Sequence, residues 1–310
     1  MKNQFLITFF ISFLLIGCAI SKKNKTKADL EQAEYHYFKA YAVLKSTTNN
    51  ALSNALTTQA LDDIDKAISI DDTQSKYHRV RGSIYSHRRE YKKALVNFKK
   101  ALQLNPENSL AHMGKGIAYE NTGKFKLAEE NYFKALEDKE LAVSVNFNLG
   151  LLYGKWGKHD RSIEQYTKVL VSLPNYKSAY LNRGKVKLSL KKYEEALMDF
   201  NKAISLAPKD KVSLNNRGLA LFYLKRYEEA IVDFKKTLRI DLGDSFNENY
   251  DTDAYAYNNM ANSYFGLGKL DHACFYWNEA IDNGYVYKSE WKEEYNIEDP
   301  VKLILKHCNK

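Results

Sequence analysis

The chain has 310 residues, 45% of them apolar, and carries 47 basic against 38 acidic side chains for a formal charge of +9; it holds only four Pro and fourteen Gly. That balance excludes collagen-like, disordered and turn-rich β classes and leaves ample material for a core. Both signs of charge are scattered rather than blocked, which reads as solvated helix surface and argues against a nucleic-acid partner.

The first element in chain order is an N-terminal segment. Lys2 precedes an apolar core, Phe5 to Ile16, and the apolar run from Phe5 ends before Lys22, short of the roughly 20 residues that a membrane-spanning helix needs. Leu15, Ile16, Gly17 and Cys18 resemble the lipobox of bacterial lipoproteins, in which a small residue precedes a cysteine that receives a diacylglycerol. The resemblance implies a signal peptide over 1–17, lipidation of Cys18 as the mature N-terminus, and a polar tether over 18–27. The competing reading is an ordinary cleaved signal with an incidental cysteine, or an uncleaved anchor. Two or more acyl chains hold a protein stably at a bilayer. Ala19, rather than Asp, after the cysteine resembles the pattern of outer-membrane lipoproteins, which implies a lipid-anchored place in the bacterial cell envelope.

From residue 75 the sequence repeats with a period of 34. Gly82, Gly116, Gly150, Gly184 and Gly218 are evenly spaced, and an aromatic residue follows each by sixteen positions, at Phe98, Tyr132, Tyr166, Phe200 and Phe234. Ala94, Ala128, Ser162, Ala196 and Ala230 keep the same step, and Pro106, Pro174 and Pro208 fall in register where they can end a helix and shape the next turn. A mid-helix Gly costs up to roughly 1 kcal/mol against Ala, so the Gly column must serve packing. It is expected to let a second helix approach at the small column, with the aromatic column filling the space between helix pairs.

These columns resemble the tetratricopeptide repeat (TPR), a helix-turn-helix unit of this length. The resemblance implies an all-α, right-handed α-solenoid of stacked units, with full repeats at 75–108, 109–142, 143–176, 177–210 and 211–244. Tyr85, Tyr119 and Tyr153 match the aromatic column of the first helix; Lys187 and Leu221 depart from it. A sixth repeat at 254–287 puts Ala261 in the Gly place and Trp277 in the aromatic place, displaced by an acidic insertion at 245–253. Residues 28–74 read as a degenerate first unit with Ala60 and Ala67 at small positions. The insertion, with Glu248, Asp251 and Asp253, lacks the alternating ligands and central Gly of a calcium loop, and is expected to end in a helix N-cap at Asp253. Residues 288–310 form a C-terminal cap: Asp299 and Pro300 open a short apolar helix, with Trp291 packed beneath it. A terminal repeat otherwise exposes an apolar face.

With Cys18 lipidated, Cys274 and Cys308 remain. An even pair in an oxidising compartment suggests a disulfide stapling cap to solenoid; two buried free thiols are the alternative. The seven histidines show no zinc-helix spacing, and no nucleophile elbow or phosphate loop occurs, so neither a metal, a cofactor, a small-molecule substrate nor catalysis is expected.

In the family the first helices line a concave groove. Carried onto this sequence, one groove column holds Asn148, Asn182, Asn216 and Asn259, where the two earlier repeats have Val80 and Gly114. The row resembles the asparagine ladder of superhelical members, whose amides bond the backbone of an extended peptide; a carboxamide both donates and accepts. Phe147, Leu151, Leu181, Leu188, Leu219, Phe222, Tyr223 and Phe265 flank it and imply apolar pockets. Asn at these places is also common repeat consensus, which would bond neighbouring helices instead. Lys76 and Arg79 are followed by Leu110, Met113 and Gly114, a departure from the charged clamp of chaperone-binding relatives. The implied function is a non-enzymatic, lipid-anchored adaptor that holds a protein or extended peptide at the envelope, in envelope assembly, secretion or recruitment of wall-remodelling enzymes. The alternative is a carbohydrate- or peptidoglycan-binding lipoprotein that stacks sugars on aromatic rings, disfavoured because most aromatic residues fall in buried columns.

Overall fold

Apolar residues spaced three and four apart, with few Gly and Pro between the turns, dictate amphipathic helices, and every regular element among the described residues is helical. The computed structural model describes residues 25–46, 54–240, 252–287 and 298–308. The expected signal peptide, Cys18, most of the acidic insertion and Trp291 lie outside these. Two compact units divide the chain at Lys139 and Glu140. The first contains α1 (Lys27–Ser46), α2 (Asn54–Ile70), α3 (Ser75–His87), α4 (Tyr91–Leu104), α5 (Ser109–Asn121) and α6 (Phe125–Ala135). In the second are α7 (Ala142–Lys155), α8 (His159–Ser172), α9 (Lys177–Ser189), α10 (Tyr193–Leu206), α11 (Lys211–Tyr223), α12 (Tyr227–Arg239), α13 (Thr252–Gly266), α14 (Leu270–Asp282) and α15 (Pro300–His307).

Successive helices pair and the pairs stack. In α12 the buried face is Ala230, Ile231, Asp233, Phe234 and Thr237, a stripe at helical spacing. The Gly column works differently from the expectation of a bare helix approach, because the space left by each missing Cβ is filled by the aromatic ring of the same repeat. A Cβ on Gly82, Gly150, Gly184 or Gly218 would lie 2.6 to 2.8 Å from the ring of Phe98, Tyr166, Phe200 or Phe234. The small column does touch the first helix: the Ser162 hydroxyl donates to the Gly150 carbonyl at 2.7 Å. In the sixth repeat Trp277 is fully buried and its indole N–H donates to Asn262 at 2.9 Å.

The turn joining the two helices of each repeat requires one left-handed residue. Gly123, Gly157 and Gly268 adopt φ of 72 to 74° there, while Arg89, Lys191 and Lys225 take the same place at 59 to 60°. Charged rungs tie neighbouring repeats. Arg183 donates from Nη1 to Thr167 of the preceding repeat and from Nε and Nη2 to Asp199 of its own. Thirty-four residues on, Arg217 does the same with Asn201 and Asp233. In the first unit Arg81 reaches Asp65 and Asn97.

Buried Ala33, Tyr37 and Ala40 of α1 meet Ala60, Ile64 and Ala67 of α2 in one cluster with α3. At the other end, Leu303 and Ile304 of α15 pack against the cluster around Trp277. Asp299 caps that helix by accepting from the Val301 N–H, and a disulfide joins Cys274 to Cys308 with Cα atoms 5.7 Å apart. The expected N-cap at Asp253 is corrected: α13 already starts at Thr252, and Asp253 sits inside its first turn, 2.6 Å from the Lys211 ammonium. Among the described residues no helix is long and apolar enough to cross a membrane.

Candidate functional site

The second unit places Asn148, Asn182, Asn216 and Asn259 at equivalent positions of α7, α9, α11 and α13, because the repeat period sets the same side chain on each first helix. Their exposure is uneven. Asn148 and Asn182 are half-buried, whereas Asn216 and Asn259 retain only 9% and 6% of their surface, so the expectation of an exposed row is corrected at its C-terminal half. Two amides are partly spent on their own helices: Asn182 Nδ2 donates to the Ser178 carbonyl at 2.8 Å, and Asn216 Nδ2 to Val212 at 2.7 Å. Each such bond fixes the side-chain rotamer and leaves the amide oxygen and one N–H to be used elsewhere.

A second pair of asparagines stands beside the row. Asn215 and Asn258 precede Asn216 and Asn259 in sequence and are 2% and 0% exposed. The Asn258 amide nitrogen donates to the Tyr285 hydroxyl at 3.2 Å, yet its Oδ1 and that of Asn215 are buried without a hydrogen-bond partner. An orphaned buried acceptor costs about 1–3 kcal/mol, and both of these residues are closed off from the surface. The doubled Asn-Asn at 215–216 and 258–259 was the available sequence signal for these residues.

The apolar flank forms a shelf more than pockets. Phe147 meets the rings of Tyr166 and Tyr176 edge-on at 5.6 and 5.4 Å, and Leu151 is half-buried against the same cluster. Leu181 and Leu219 are half-buried around Phe200, but Leu188 is 4% exposed and closed off by its cluster. Phe222 packs on Tyr223 and Tyr227, and Tyr223 stacks on Tyr193 at 4.9 Å. Phe265 is the open end of the shelf, 41% exposed, between Trp277 at 5.4 Å and His307 of the cap at 5.0 Å. A cavity of about 360 Å³ in this unit lies instead among Leu197, Arg217, Arg226 and Lys236.

Charge near the row is largely committed to structure. Lys187, where the sequence departs from the aromatic column, is buried and lies 2.9 Å from Asp199, which Arg183 also grips. Lys185 is still exposed, though desolvation by the surrounding helices pulls its ammonium below the ordinary lysine value. In the first unit Lys76 is held by Glu34 and rests over the Tyr37 ring, and Arg79 lies over Tyr41. No group of three metal-ligating side chains occurs among the described residues.

Comparison with known proteins gives a consistent picture of the fold. Two sequence profiles, both described as tetratricopeptide repeat, match residues 75–108, 178–210 and 212–243, and residues 143–170 and 254–283, together just over half of the chain. No curated protein matches. Among solved structures, pilF of Pseudomonas aeruginosa is 18% identical, with a TM-score of 0.57 and coverage of 76% of this chain and 98% of that one. A tetratricopeptide repeat protein from Parabacteroides merdae is 17% identical with a TM-score of 0.59, covering 86% and 98%. PilW, described as a widely conserved type IV pilus biogenesis factor, is 18% identical with a TM-score of 0.57, covering 74% and 98%. At these identities the likeness carries the fold alone.

Proposed function

Because the chain belongs to the tetratricopeptide repeat family, we propose that it is a non-enzymatic adaptor whose second unit holds an extended segment of a protein partner along Asn148, Asn182, Asn216 and Asn259. The observation that carries the reading is that Asn148 and Asn182 stay half-buried on successive first helices, beside the half-buried Phe147, Leu151, Leu181 and Leu219. The Asn182 amide oxygen can accept from a backbone N–H of a peptide, and its remaining N–H can answer a peptide carbonyl. The half-buried Phe147, Leu151, Leu181, Leu219 and Phe222 add apolar contact at alternate side chains. Specificity for one sequence would then come from the shelf, and affinity for any extended backbone from the amides.

We further propose that Cys18 is lipidated and that the adaptor works at the bacterial cell envelope, most simply at the outer membrane. The sequence around Cys18 supports this, and a lipid anchor would confine a partner to the membrane surface at raised effective concentration.

Crosslinking in intact cells tests both parts. Proteins captured by the wild type are compared with those captured by a variant carrying Asn148→Ala, Asn182→Ala, Asn216→Ala and Asn259→Ala at equal abundance. Loss of one dominant partner is the expected result, and an unchanged set makes the row structural. A Cys18→Ser chain is expected to leave the membrane fraction; if it stays there, lipidation at Cys18 is not the anchor.

A further inference from the structure

The first unit carries a pocket of about 280 Å³ that the asparagine row does not explain. Its origin is one substitution in the repeat. Gly114 stands where four repeats of the second unit have asparagine at the same register. A Cβ there would lie 2.5 Å from the ring of Phe98, which is wedged at the same time against Gly82. The ring therefore excludes a side chain at 114, and the space above it opens between α3 and α5, with Ile117 as an aliphatic wall.

The pocket's chemistry narrows its occupant. Its lining holds neither a carboxylate nor an ammonium or guanidinium group, so it suits neither a cation nor an anion. Hydroxyls from Ser83, Ser86 and Tyr91 and the amide of Asn121 mix with the apolar surface, beside His87, whose ring is partly desolvated, which lowers its pKa, while its side chain stays open at the rim. Ser83 Oγ and Asn121 Nδ2 are spent on carbonyls of their own helices. Ser86 Oγ is buried with no hydrogen-bond partner. Ligand sites for small molecules begin at about 300 Å³, so this volume fits a single ring rather than a cofactor. A purely aliphatic guest would leave the Ser86 hydroxyl orphaned, whereas a phenol fills the apolar space and supplies its missing partner.

We propose that this pocket binds the phenol ring of a tyrosine presented by a protein partner. The site is contained in residues 83–121 and stands or falls independently of the asparagine row.

The test uses the whole isotope-labelled chain and two probes that differ by one hydroxyl, N-acetyl-tyrosinamide and N-acetyl-phenylalaninamide, followed by NMR at the amides of Ser86, Gly114 and Ile117. The tyrosine probe is expected to bind about three- to ten-fold more tightly, the range one net hydrogen bond provides. Ser86→Ala should bring the ratio close to one without altering the helix content, and Ser83→Leu, a helix-compatible filler, should remove saturable binding of both. The proposal is overturned if neither probe shifts Gly114 and Ile117 saturably, if both bind equally to the wild type, or if Ser86→Ala leaves the preference intact.

Discussion

Arg183 meets Asp199 through two parallel hydrogen bonds, Nε to Oδ2 at 2.9 Å and Nη2 to Oδ1 at 2.7 Å, while Lys187 approaches the same carboxylate at 2.9 Å. Asp199 is 3% exposed, so one buried carboxylate is shared between two cations. Removing it leaves Arg183 without a carboxylate and Lys187 with Glu195 alone, at 3.7 Å: Asp199→Ala is expected to destabilise the second unit by about 3–5 kcal/mol in urea unfolding. Lys187→Leu, which copies Leu221 one repeat on, leaves the Arg183 pair in place and should cost less than about 1 kcal/mol. Equal losses from the two variants would show that the ion pair is not the source of the stability.

Gly184→Ala tests the ring-in-socket packing. Helix propensity alone would stabilise by roughly 1 kcal/mol, but the new methyl would sit 2.7 Å from Phe200 Cε1. Overpacking of this kind costs about 1–3 kcal/mol, so a net loss is expected in thermal unfolding. Adding Phe200→Leu should restore part of it, giving a coupling energy between the two sites. A stabilised Gly184→Ala single variant is the contrary outcome.

Asp210 caps α11 by accepting from the Ser213 N–H at 2.9 Å and pairs with Lys177 at 3.0 Å. Burial by itself would raise its carboxyl, yet the Ser213 and Lys177 hydrogen bonds outweigh that and hold it below the ordinary value of 3.8. A depressed carboxyl contributes stability that is full above the unfolded pKa and is lost as pH falls through the folded one. Asp210→Ala should therefore cost about 1–2 kcal/mol at neutral pH, and the gap from wild type should narrow below pH 3.8. A gap that is constant with pH would assign the effect to packing.

Cys308→Ser tests the cap. The bridge spans a sequence separation of 34, a loop whose closure is worth roughly 3–4 kcal/mol in the chain-entropy account. Hydrogen exchange of α14 and α15 should accelerate, and Trp277 fluorescence should shift towards solvent. In a stack where each repeat contacts its neighbours alone, α7 to α10 should keep their protection. Uniform loss of protection through the unit would mean that the cap sets the stability of every repeat.

The helical architecture was legible because its signals are burial signals repeated at one period: Gly184 with Phe200, and Gly218 with Phe234, are the same contact twice. The charged rungs keep that period as well, at Arg183 and Arg217 and at Asp199 and Asp233, yet they went unread. An arginine gives no indication along the chain of which carboxylate it will reach across a helix pair, and exposed charge is the usual fate of such residues. Lys187 illustrates this, looking like a defect in an aromatic column while completing a polar one. The asparagine row was legible as a column, but the depth of Asn216 and Asn259 is decided by how closely the neighbouring helices cross. The pocket over Phe98 escaped because Gly114 was read as an interruption of that row.

The link between Cys274 and Cys308 also has a mechanical side. A residue of extended chain spans at most about 3.3–3.6 Å, so a closed stretch with a sequence separation of 34 withholds roughly 110–120 Å of contour from a chain under tension. A pull between the two ends would pay out the repeats as far as Cys274 and then pass through the sulfur bridge, leaving the rest of α14 and the final helix as a slack ring that carries no load. Under a reductant the same pull would lengthen the molecule by that amount.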